Sequence, residues 1–408
     1  MRGRPNFFAS YEAEQGLLPT TTKKIFAVLV LIAAISIPFE VFPILDKFAE
    51  PAWLVLFNRS LIFLIAALGL NILTGLAGQV SLGHAFFMGL GAYTAVVLGG
   101  SAEGLWGLGL PIWIWLPMAG VVPALVGILV APTAVRVRGL YLAIVTLGLV
   151  FIGEHIFRNA NSIAGAPEVG REWPRLTFRI WKEENPLIDF SRDGQWFGVS
   201  LSGEAKTFFF LLVVALVFVV LAKNLSRTRI GRAFAAIRDR DVAAEVMGVG
   251  EFRAKTQAFA ISSFYAGISG ALFGVVVGRL IPETWNLFLS VQFVAIVLIG
   301  GAGTVAGSVM GSFFVVMMPR MVENVTRFLS EQAVGDGPVS AIADVVISVN
   351  GDFGIVSLEA QGPGLSIFQL NQVIYGLLIA VFLISEPLGL FGVWIRIRNY
   401  WKSWPFTY

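Results

Sequence analysis

The sequence predicts an all-α polytopic membrane protein with about eight to ten transmembrane helices, some of them broken or re-entrant at glycine-rich segments. Hydrophobic residues make up 56% of the 408-residue chain, charged residues make up only 13%, and the mean hydropathy is +0.79. A soluble domain of this length needs more charged surface than that. Apolar runs of about 20 residues, the length that crosses a bilayer, follow one another, and the 44 glycines suit close-packed membrane helices.

Apolar segments separated by polar or glycine-rich stretches give the order of the predicted helices. Their approximate bounds are 24–42, 53–74, 78–100, 112–131, 140–157, 207–222, 256–278, 290–299, 305–318 and 373–390. Polar inserts separate the fifth segment from the sixth and the ninth from the last. The eighth and ninth segments are short, and they either cross separately or form one re-entrant hairpin. Both alternatives leave the two termini on the same side of the membrane.

Lysine and arginine residues fall into four groups that alternate crossings place on one side. These groups lie at residues 2–24, 136–138, 223–255 and 396–402. The positive-inside rule makes that side the cytosol, so both polar inserts, at about 159–206 and 322–367, face outside. The sequence therefore predicts cytosolic tails over 1–23 and 396–408 around a transmembrane domain over 24–395.

A charged stretch, "RIGRAFAAIRDRDVAAEVMGVG" (Arg229–Gly250), interrupts the apolar chain within a predicted cytosolic loop of about 224–255. Its apolar residues recur at helical spacing and predict a stripe that faces outward: Ile230, Phe234 and Ile237. Asp239 and Asp241 are suitable N-caps for a second short helix, and Gly248 is suited to end it. We therefore expect two short helices onto which a partner docks. A basic loop that follows the positive-inside rule, or a helix lying on lipid, explains the pattern as well.

Several classes of site are excluded by composition. The chain has no cysteine, which removes disulfides, thiolate metal sites and cysteine nucleophiles, and its two histidines, His84 and His155, are too few for a histidine metal site. None of the eight lysines follows a glycine, so the chain carries no phosphate-binding P-loop. We expect no catalytic residues and no metal site, and the net charge of +3 does not indicate nucleic-acid binding.

Four stretches carry a resemblance to a known family. "RAFAAIRDRDVAAEVMGV" resembles the cytosolic coupling loop of ABC importer permeases, and more closely that of the M-type (LivM-like) permease subunits of branched-chain amino acid transporters. "LGLNILTGLAGQVSLGHAFFMGLGAYTA", "GLYLAIVTLG" and "VLIGGAGTVAGSVMGS" are similar to further segments of that family and occur in its order. The outer loop after the fifth segment and the long acidic insert depart from the family pattern, which leaves the substrate more open than the transporter class.

The resemblance implies a subunit that forms the translocation pathway of an ATP-driven importer for branched-chain or related amino acids in the bacterial cytoplasmic membrane. It implies as partners a second permease subunit, two ATP-binding subunits and an extracytoplasmic amino-acid-binding protein. The chain itself is then not an enzyme and holds no cofactor, since ATP and Mg²⁺ belong to the ATP-binding subunits. The residues expected to couple to them are Ile230, Gly231, Arg232, Phe234, Ile237, Arg238, Ala244 and Gly248.

Polar residues within the apolar segments are candidates for the translocation pathway. Gln79, Ser81 and His84 stand near the start of the third segment and either line the pathway or hydrogen-bond a kinked helix, and the second is the commoner role. Arg59, beside Asn58, either contacts substrate or snorkels to the outer surface.

Two further features complete the candidate sites. Glu154 and His155 end the fifth segment as an interfacial pair or, less simply, a proton relay. Glycines at spacings of four predict two faces for close helix packing: Gly270, Gly274, Gly278, Gly303, Gly307 and Gly311.

Two other functions fit parts of the sequence. A self-contained secondary transporter or channel needs charged residues inside the membrane for ion coupling or selectivity, and the apolar segments contain few. A sugar, urea or amide permease of the same superfamily is the second alternative.

Overall fold

The computed structural model describes residues 16, 20–39, 50–101, 105–136, 139–165, 170–180, 186–196, 199–333, 347–348, 356–357, 365–386 and 388–403. Within this part of the chain, eight helices are long and apolar enough to cross a membrane. Two further apolar helices are shorter, and the strands comprise two or three residues each. The predicted all-α polytopic membrane fold is confirmed.

The helices follow the predicted apolar segments closely. In chain order they are α1 (Thr21–Ser36), α2 (Pro51–Leu70), α3 (His84–Gly99), α4 (Ile112–Arg136), α5 (Leu140–Asn159), α6 (Asn161–Ala164), α7 (Gly203–Arg227), α8 (Arg229–Val246), α9 (Glu251–Val277), α10 (Leu287–Gly300), α11 (Val305–Ala333), α12 (Ile367–Ser385) and α13 (Gly389–Ser403). A π-helical turn over Asn71–Leu76 continues α2. Single 3₁₀ turns occur at Ile37–Phe39 and Pro282–Thr284.

The third predicted segment begins later than expected. Residues 78–83 form a loop and α3 starts at His84, because Gly78 adopts a φ of +69° that turns the chain out of a helix. Gln79 and Ser81 therefore lie in the loop ahead of α3.

In the described residues, some of the connections between the helices contain short strands. The strands are β1 (Arg171–Glu172), β2 (Thr177–Phe178), β3 (Ile188–Asp189), β4 (Gly194–Trp196), β5 (Val199–Leu201), β6 (Arg279–Leu280), β7 (Ile347–Ser348), β8 (Val356–Ser357) and β9 (Leu365–Ser366). The antiparallel pairs are β1–β6, β2–β3 and β4–β5, whereas β7, β8 and β9 pair in parallel. The β1–β6 pair ties the first polar insert to the end of α9.

Helix α9 is the centre of the bundle and packs against α2, α3 and α4. Ser269 Oγ donates to the Ile62 carbonyl of α2 at 2.8 Å, and Tyr265 Oη donates to the Phe218 carbonyl of α7 at 3.2 Å. Such hydrogen bonds between helices satisfy polar side chains that have no water partner inside a membrane.

The contacts define two ends of the bundle, which we call the Arg238 end and the Arg171 end. At the Arg238 end, Arg238 contacts the close of α2, and Gly139 before α5 lines the same small cleft. Arg227 closes α7 and donates to the Gly16 carbonyl ahead of α1, and α13 begins against the turn between α10 and α11. The described members of all four lysine and arginine groups thus lie at one end.

The eighth and ninth segments run as separate helices. Glu283, just before α10, pairs with Arg158 at the Arg171 end, with 3.6 Å between Oε1 and Nε. The turn after α10 lies against Gly75 and Arg238 at the opposite end. Since α10 runs from one end of the bundle to the other, the arrangement fits two separate crossings better than a re-entrant hairpin.

Candidate functional site

The charged stretch Arg229–Gly250 folds as two short helices, as the sequence predicts. The two follow each other without a loop within α8, and Arg240, whose backbone angles are non-helical (φ −156°, ψ 102°), separates them at a kink. Thr228 caps the first helix, with its Oγ1 accepting from the Gly231 amide at 3.4 Å. Gly248 has a φ of +85° and follows the end of the second helix.

The apolar stripe of α8 faces the bundle, which corrects the predicted outward orientation. Phe234 is 1% exposed and Ile237 is 5% exposed, and Gly231 and Ala244 are buried with them. Ile230 alone remains accessible, at 38%. The physical reason is that α8 is held against the ends of α7 and α9, so the chain's own core takes its apolar side.

A different set of apolar residues is exposed at the Arg238 end, and we call it the exposed α8 face. It comprises Val242 (63% exposed), Val246 (83%), Met247 (83%) and Phe252 (56%). Beside it is a cleft of about 470 Å³ between α8, the following loop and the start of α9. Three arginines line this cleft together with apolar and glycine residues: Arg229, Ile230, Arg232, Ala233, Gly248, Val249, Gly250, Arg253, Ala254 and Gln257. An exposed apolar patch with a charged rim is typical of a protein docking surface.

Arg238 connects α8 to the transmembrane helices. Its Nη1 donates to the Gly75 carbonyl, in the π-helical turn of α2, at 2.8 Å. Its stem lies so close to Gly78 that a Cβ there would meet Arg238 Cγ at 2.7 Å. A buried ion pair between Lys255 Nζ and Glu251 Oε1, 2.6 Å apart, lies at the start of α9, and Lys255 lines the cleft that Arg238 borders. Arg238 thus places α8 in direct contact with the π-helical turn that continues α2.

Asn71 links the π-helical turn to the turn between α10 and α11. Its Oδ1 accepts from the Gly303 amide at 2.7 Å, and its Nδ2 donates to the Thr304 carbonyl at 3.0 Å. The Gly303 amide lies in a turn that leaves it without a helical partner, whereas the Thr304 carbonyl also accepts from the Ser308 amide at 3.2 Å. π-Helical turns often occur at functional sites, and this one joins α2, α8 and the α10–α11 turn in one contact network.

We expect Asn71→Leu to lower the melting temperature of the detergent-solubilised chain clearly. Leucine keeps much of the volume but leaves the half-buried Gly303 amide unsatisfied, at about 1–3 kcal/mol, while the Thr304 carbonyl keeps the Ser308 amide as a donor. Differential scanning fluorimetry measures the change, with Asn224→Leu, at an exposed position of α7, as the control. Equal melting temperatures for the two variants would contradict the bridging role of Asn71.

Comparison with known proteins identifies the family. Residues 53–349 match the profile of the family described as branched-chain amino acid transport system / permease component. The high-affinity branched-chain amino acid transport system permease protein LivM of Salmonella typhimurium is 32% identical over 322 residues, which are 76% of this chain and 71% of that protein. LivM of Escherichia coli is 31% identical over the same length. The chain belongs to this permease family.

A more distant similarity covers a shorter region. The autoinducer 2 import system permease protein LsrC of Enterobacter sp. is 36% identical over 111 residues, which are 25% of this chain and 32% of LsrC. No solved structure matches the chain. The relatives are transport permeases and not enzymes. Together with the eight long apolar helices of the described residues, they support a multi-pass membrane protein.

The predicted pathway residues of the permease are buried among its helices. Gln79 Nε2 donates to the Ala77 carbonyl at 3.2 Å, and Ser81 Oγ accepts from the Gly83 amide at 3.2 Å. His84 is 2% exposed and its ring packs edge-on against Phe293, with 5.4 Å between the ring centroids. Their contacts are those of side chains that shape the start of α3.

Side chains from other helices satisfy the start of α3. Thr146 Oγ1 of α5 accepts from the Leu82 amide at 2.9 Å, and Ser290 Oγ of α10 accepts from the Ala85 amide at 3.0 Å. Local sequence could not indicate these caps, because Gly83 at the N-cap position has no side chain and the acceptors come from distant segments.

The other polar candidates, Asn58 and Arg59, contact residues of α2, α7 and α9. Asn58 Nδ2 donates to the Glu204 carbonyl at 3.1 Å, and the Arg59 guanidinium lies 5.2 Å from the Phe63 ring centroid and 5.6 Å from that of Phe273. Arg59 therefore packs inward against aromatic rings instead of snorkelling outward. The substrate contact of Arg59 stays a prediction.

At the end of α5, the charged residues form an ion pair. Glu154 Oε1 pairs with Arg158 Nη2 at 2.8 Å. His155 is exposed, and its neighbour is Asn159. Glu154 therefore pairs with Arg158 instead of His155, and the proton relay stays a prediction.

The six predicted packing glycines have three different environments: contact with the backbone of another element, contact with an aromatic ring, and a turn that requires a positive φ. An added Cβ at Gly270 would collide with the Met88 carbonyl of α3, and at Gly307 or Gly311 with the backbone around Gly300. At Gly274 it would collide with the Trp173 ring, so this glycine packs against the first insert.

Gly278 and Gly303 do not belong to packing faces, which corrects the predicted role. Gly278 ends α9 in the left-handed conformation (φ +78°), and Gly303 turns the chain between α10 and α11 (φ +82°). Their requirement is positive φ, which a spacing pattern cannot distinguish from close packing. Gly267, which the four-residue spacing missed, lies against the Ala119 carbonyl of α4.

The Arg171 end holds a second cleft, of about 610 Å³, between the α3–α4 loop and the first insert. Arg171 lines this cleft and donates to the carbonyls of Trp106, Ile163 and Ser101 at 2.7, 3.1 and 2.6 Å. Burial lowers the pKa of the Arg171 guanidinium, and three carbonyl acceptors hold its protonated form. Arg171 thereby anchors the insert to the bundle.

Proposed function

We propose that this permease forms the translocation pathway of an ATP-driven ABC importer for branched-chain or related amino acids. It works with a second permease subunit, two ATP-binding subunits and an extracytoplasmic amino-acid-binding protein. It lies in the bacterial cytoplasmic membrane with both termini in the cytosol, since the positive-inside rule assigns the Arg238 end to that side. The observation that carries the proposal is the similarity to LivM over 76% of the chain.

The contacts of α8 support a route for coupling. An ATP-binding subunit contacts the exposed α8 face and the adjoining cleft, where Val246 and Met247 are each 83% exposed. Closure of the two ATP-binding subunits moves α8. Arg238 passes this movement to the Gly75 carbonyl, and Asn71 passes it to the turn before α11. The helices that flank the pathway then shift together, because each contact in this series is a direct hydrogen bond.

Reconstituted transport tests the proposal. Proteoliposomes containing the permease with all of its proposed partners are expected to take up labelled leucine only when ATP is present on the ATP-binding side. Competition by unlabelled isoleucine and valine, against a sugar, urea and an amide, identifies the substrate class. Uptake that continues without the ATP-binding subunits and follows an ion gradient would favour a secondary transporter instead.

We expect Arg238→Gln to uncouple ATP hydrolysis from uptake. Glutamine is too short to keep the 2.8 Å bond to the Gly75 carbonyl, while the exposed α8 face is unchanged. The complex should assemble, but the number of amino acids imported per ATP hydrolysed should fall about tenfold, as the loss of a charged hydrogen bond of about 1.5 kcal/mol allows. Simultaneous ATPase and uptake assays measure this ratio. Arg240→Gln removes an exposed arginine two residues away and is the control; an equal loss in both variants would argue against the Arg238 contact.

A further inference from the structure

Helix α13 has an apolar and aromatic face that the described part of the chain leaves largely exposed. The residues of this face are Trp394 (41% exposed), Ile397 (47%), Tyr400 (58%) and Trp401 (73%). They recur at helical spacing, and arginines occupy other positions on the helix. Tryptophan and tyrosine are the residues that concentrate at the membrane–water interface, because their rings are apolar and their N–H and O–H groups are polar.

The α13 face is continuous with the exposed apolar surface of α1. Only 6% of the apolar window of α1 is buried, so nearly all of that surface is free of contact with the described part of the chain. Phe26, in the second turn of α1, stacks on Trp394 with 6.1 Å between the ring centroids. At its start, Gly389 turns α13 away from α12 with a φ of +60° and packs against the Ile299 carbonyl. This fixes α13 at the Arg238 end, level with the start of α1.

In the described part of the chain, exposed positive charge lies around this junction. Lys23 and Lys24 are exposed in the first turn of α1, and Arg398 is exposed on α13. Arg396 pairs with Glu386, so its charge is balanced within the chain. Aromatic residues beside several cations match the interfacial region of a membrane that contains anionic lipids.

We propose that α13 and the first turn of α1 form a binding surface for anionic lipid headgroups, to which Lys24 and Arg398 contribute positive charge. The α13 face lies in the membrane interface, and the cations hold the headgroup beside it. The inference concerns a lipid-binding site and is independent of the transported substrate.

Quenching of a fluorophore at this surface tests the proposal. The chain has no cysteine, so Ile397→Cys places a single bimane on the α13 face of the full-length permease in nanodiscs. Equal mole fractions of nitroxide-labelled phosphatidylglycerol and phosphatidylcholine are compared. We expect phosphatidylglycerol to be enriched near the fluorophore, and Lys24→Gln with Arg398→Gln to reduce that enrichment by about fivefold for each charge, on the basis of about 1 kcal/mol per cation.

Arg240→Gln, which removes an exposed charge at the same end but from α8, is the matched control and should leave the enrichment unchanged. Equal quenching by both lipids, or an equal effect of the control, would overturn the proposal. Weak quenching by both lipids that becomes weaker still when the ATP-binding subunit is added would overturn it in favour of a protein partner. All three charge changes lie at exposed positions, so we expect each variant to fold. Circular dichroism and size-exclusion profiles check this.

Discussion

Replacing Val246 with aspartate is expected to abolish ATP-dependent uptake while the permease still folds and inserts. Val246 is 83% exposed on the second short helix of α8, so a carboxylate there is tolerated by the isolated chain. In a docked complex the same carboxylate is buried without a partner, which costs several kcal/mol and is enough to abolish a modest interface. Co-purification of the ATP-binding subunit and uptake of labelled leucine measure the two effects.

Two other substitutions make the Val246 result specific. Leu108→Asp introduces the same charge at a 53% exposed position at the Arg171 end and should retain the ATP-binding subunit. Phe234→Asp places the charge at a 1% exposed position inside the bundle and should reduce the yield of folded permease. If Val246→Asp keeps a full complement of ATP-binding subunit and normal uptake, the exposed α8 face is not the docking surface.

Replacing Gly270 with leucine is expected to prevent the permease from accumulating as a folded protein. A Cβ at this position would collide with the carbonyl oxygen, the carbonyl carbon and the Cα of Met88, so α9 would have to move away from α3. Because α9 is the central helix, its displacement disturbs the contacts with α2 and α4 as well. Overpacking of this kind costs about 3 kcal/mol or more when backbone has to shift.

Fluorescence-detected size exclusion of the detergent-solubilised chain measures the loss. Gly148→Leu is the control, because a Cβ at Gly148 in α5 meets nothing within 4 Å. The control should elute as a single symmetric peak, whereas Gly270→Leu should aggregate or disappear. Similar peaks from both variants would indicate that α9 and α3 can separate without unfolding the bundle.

The sequence predicted the helices well because hydropathy is a property of each segment by itself. The segments at about 53–74 and 140–157 became α2 (Pro51–Leu70) and α5 (Leu140–Asn159), within a few residues at each boundary. The error at residue 78 arose because a glycine-rich, weakly polar loop has the composition of a membrane helix. The positive φ of Gly78, which ends the helical path, is not visible in composition.

The two short helices predicted over Arg229–Gly250 form, but their apolar stripe faces the bundle and not outward. The stripe through Phe234 was recognised as apolar, yet an apolar stripe packs equally well on a partner or on the chain's own core. In the tertiary structure the stripe packs against the chain's own core, and Val246 and Met247 remain exposed. Part of the second insert, including residues 334–346, lies outside the described residues.

By itself, the sequence determined the fold class, the family and the segregation of lysine and arginine residues, because length, hydropathy and local motifs carry that information directly. Only the tertiary structure decided which face of α8 is free and which residues connect it to the membrane helices. Arg238 meets the Gly75 carbonyl across 163 positions of the chain, and Asn71 meets the Gly303 amide across 232. Such contacts depend on how helices that are distant in sequence pack together, so a local sequence pattern does not indicate which residue a given side chain will contact.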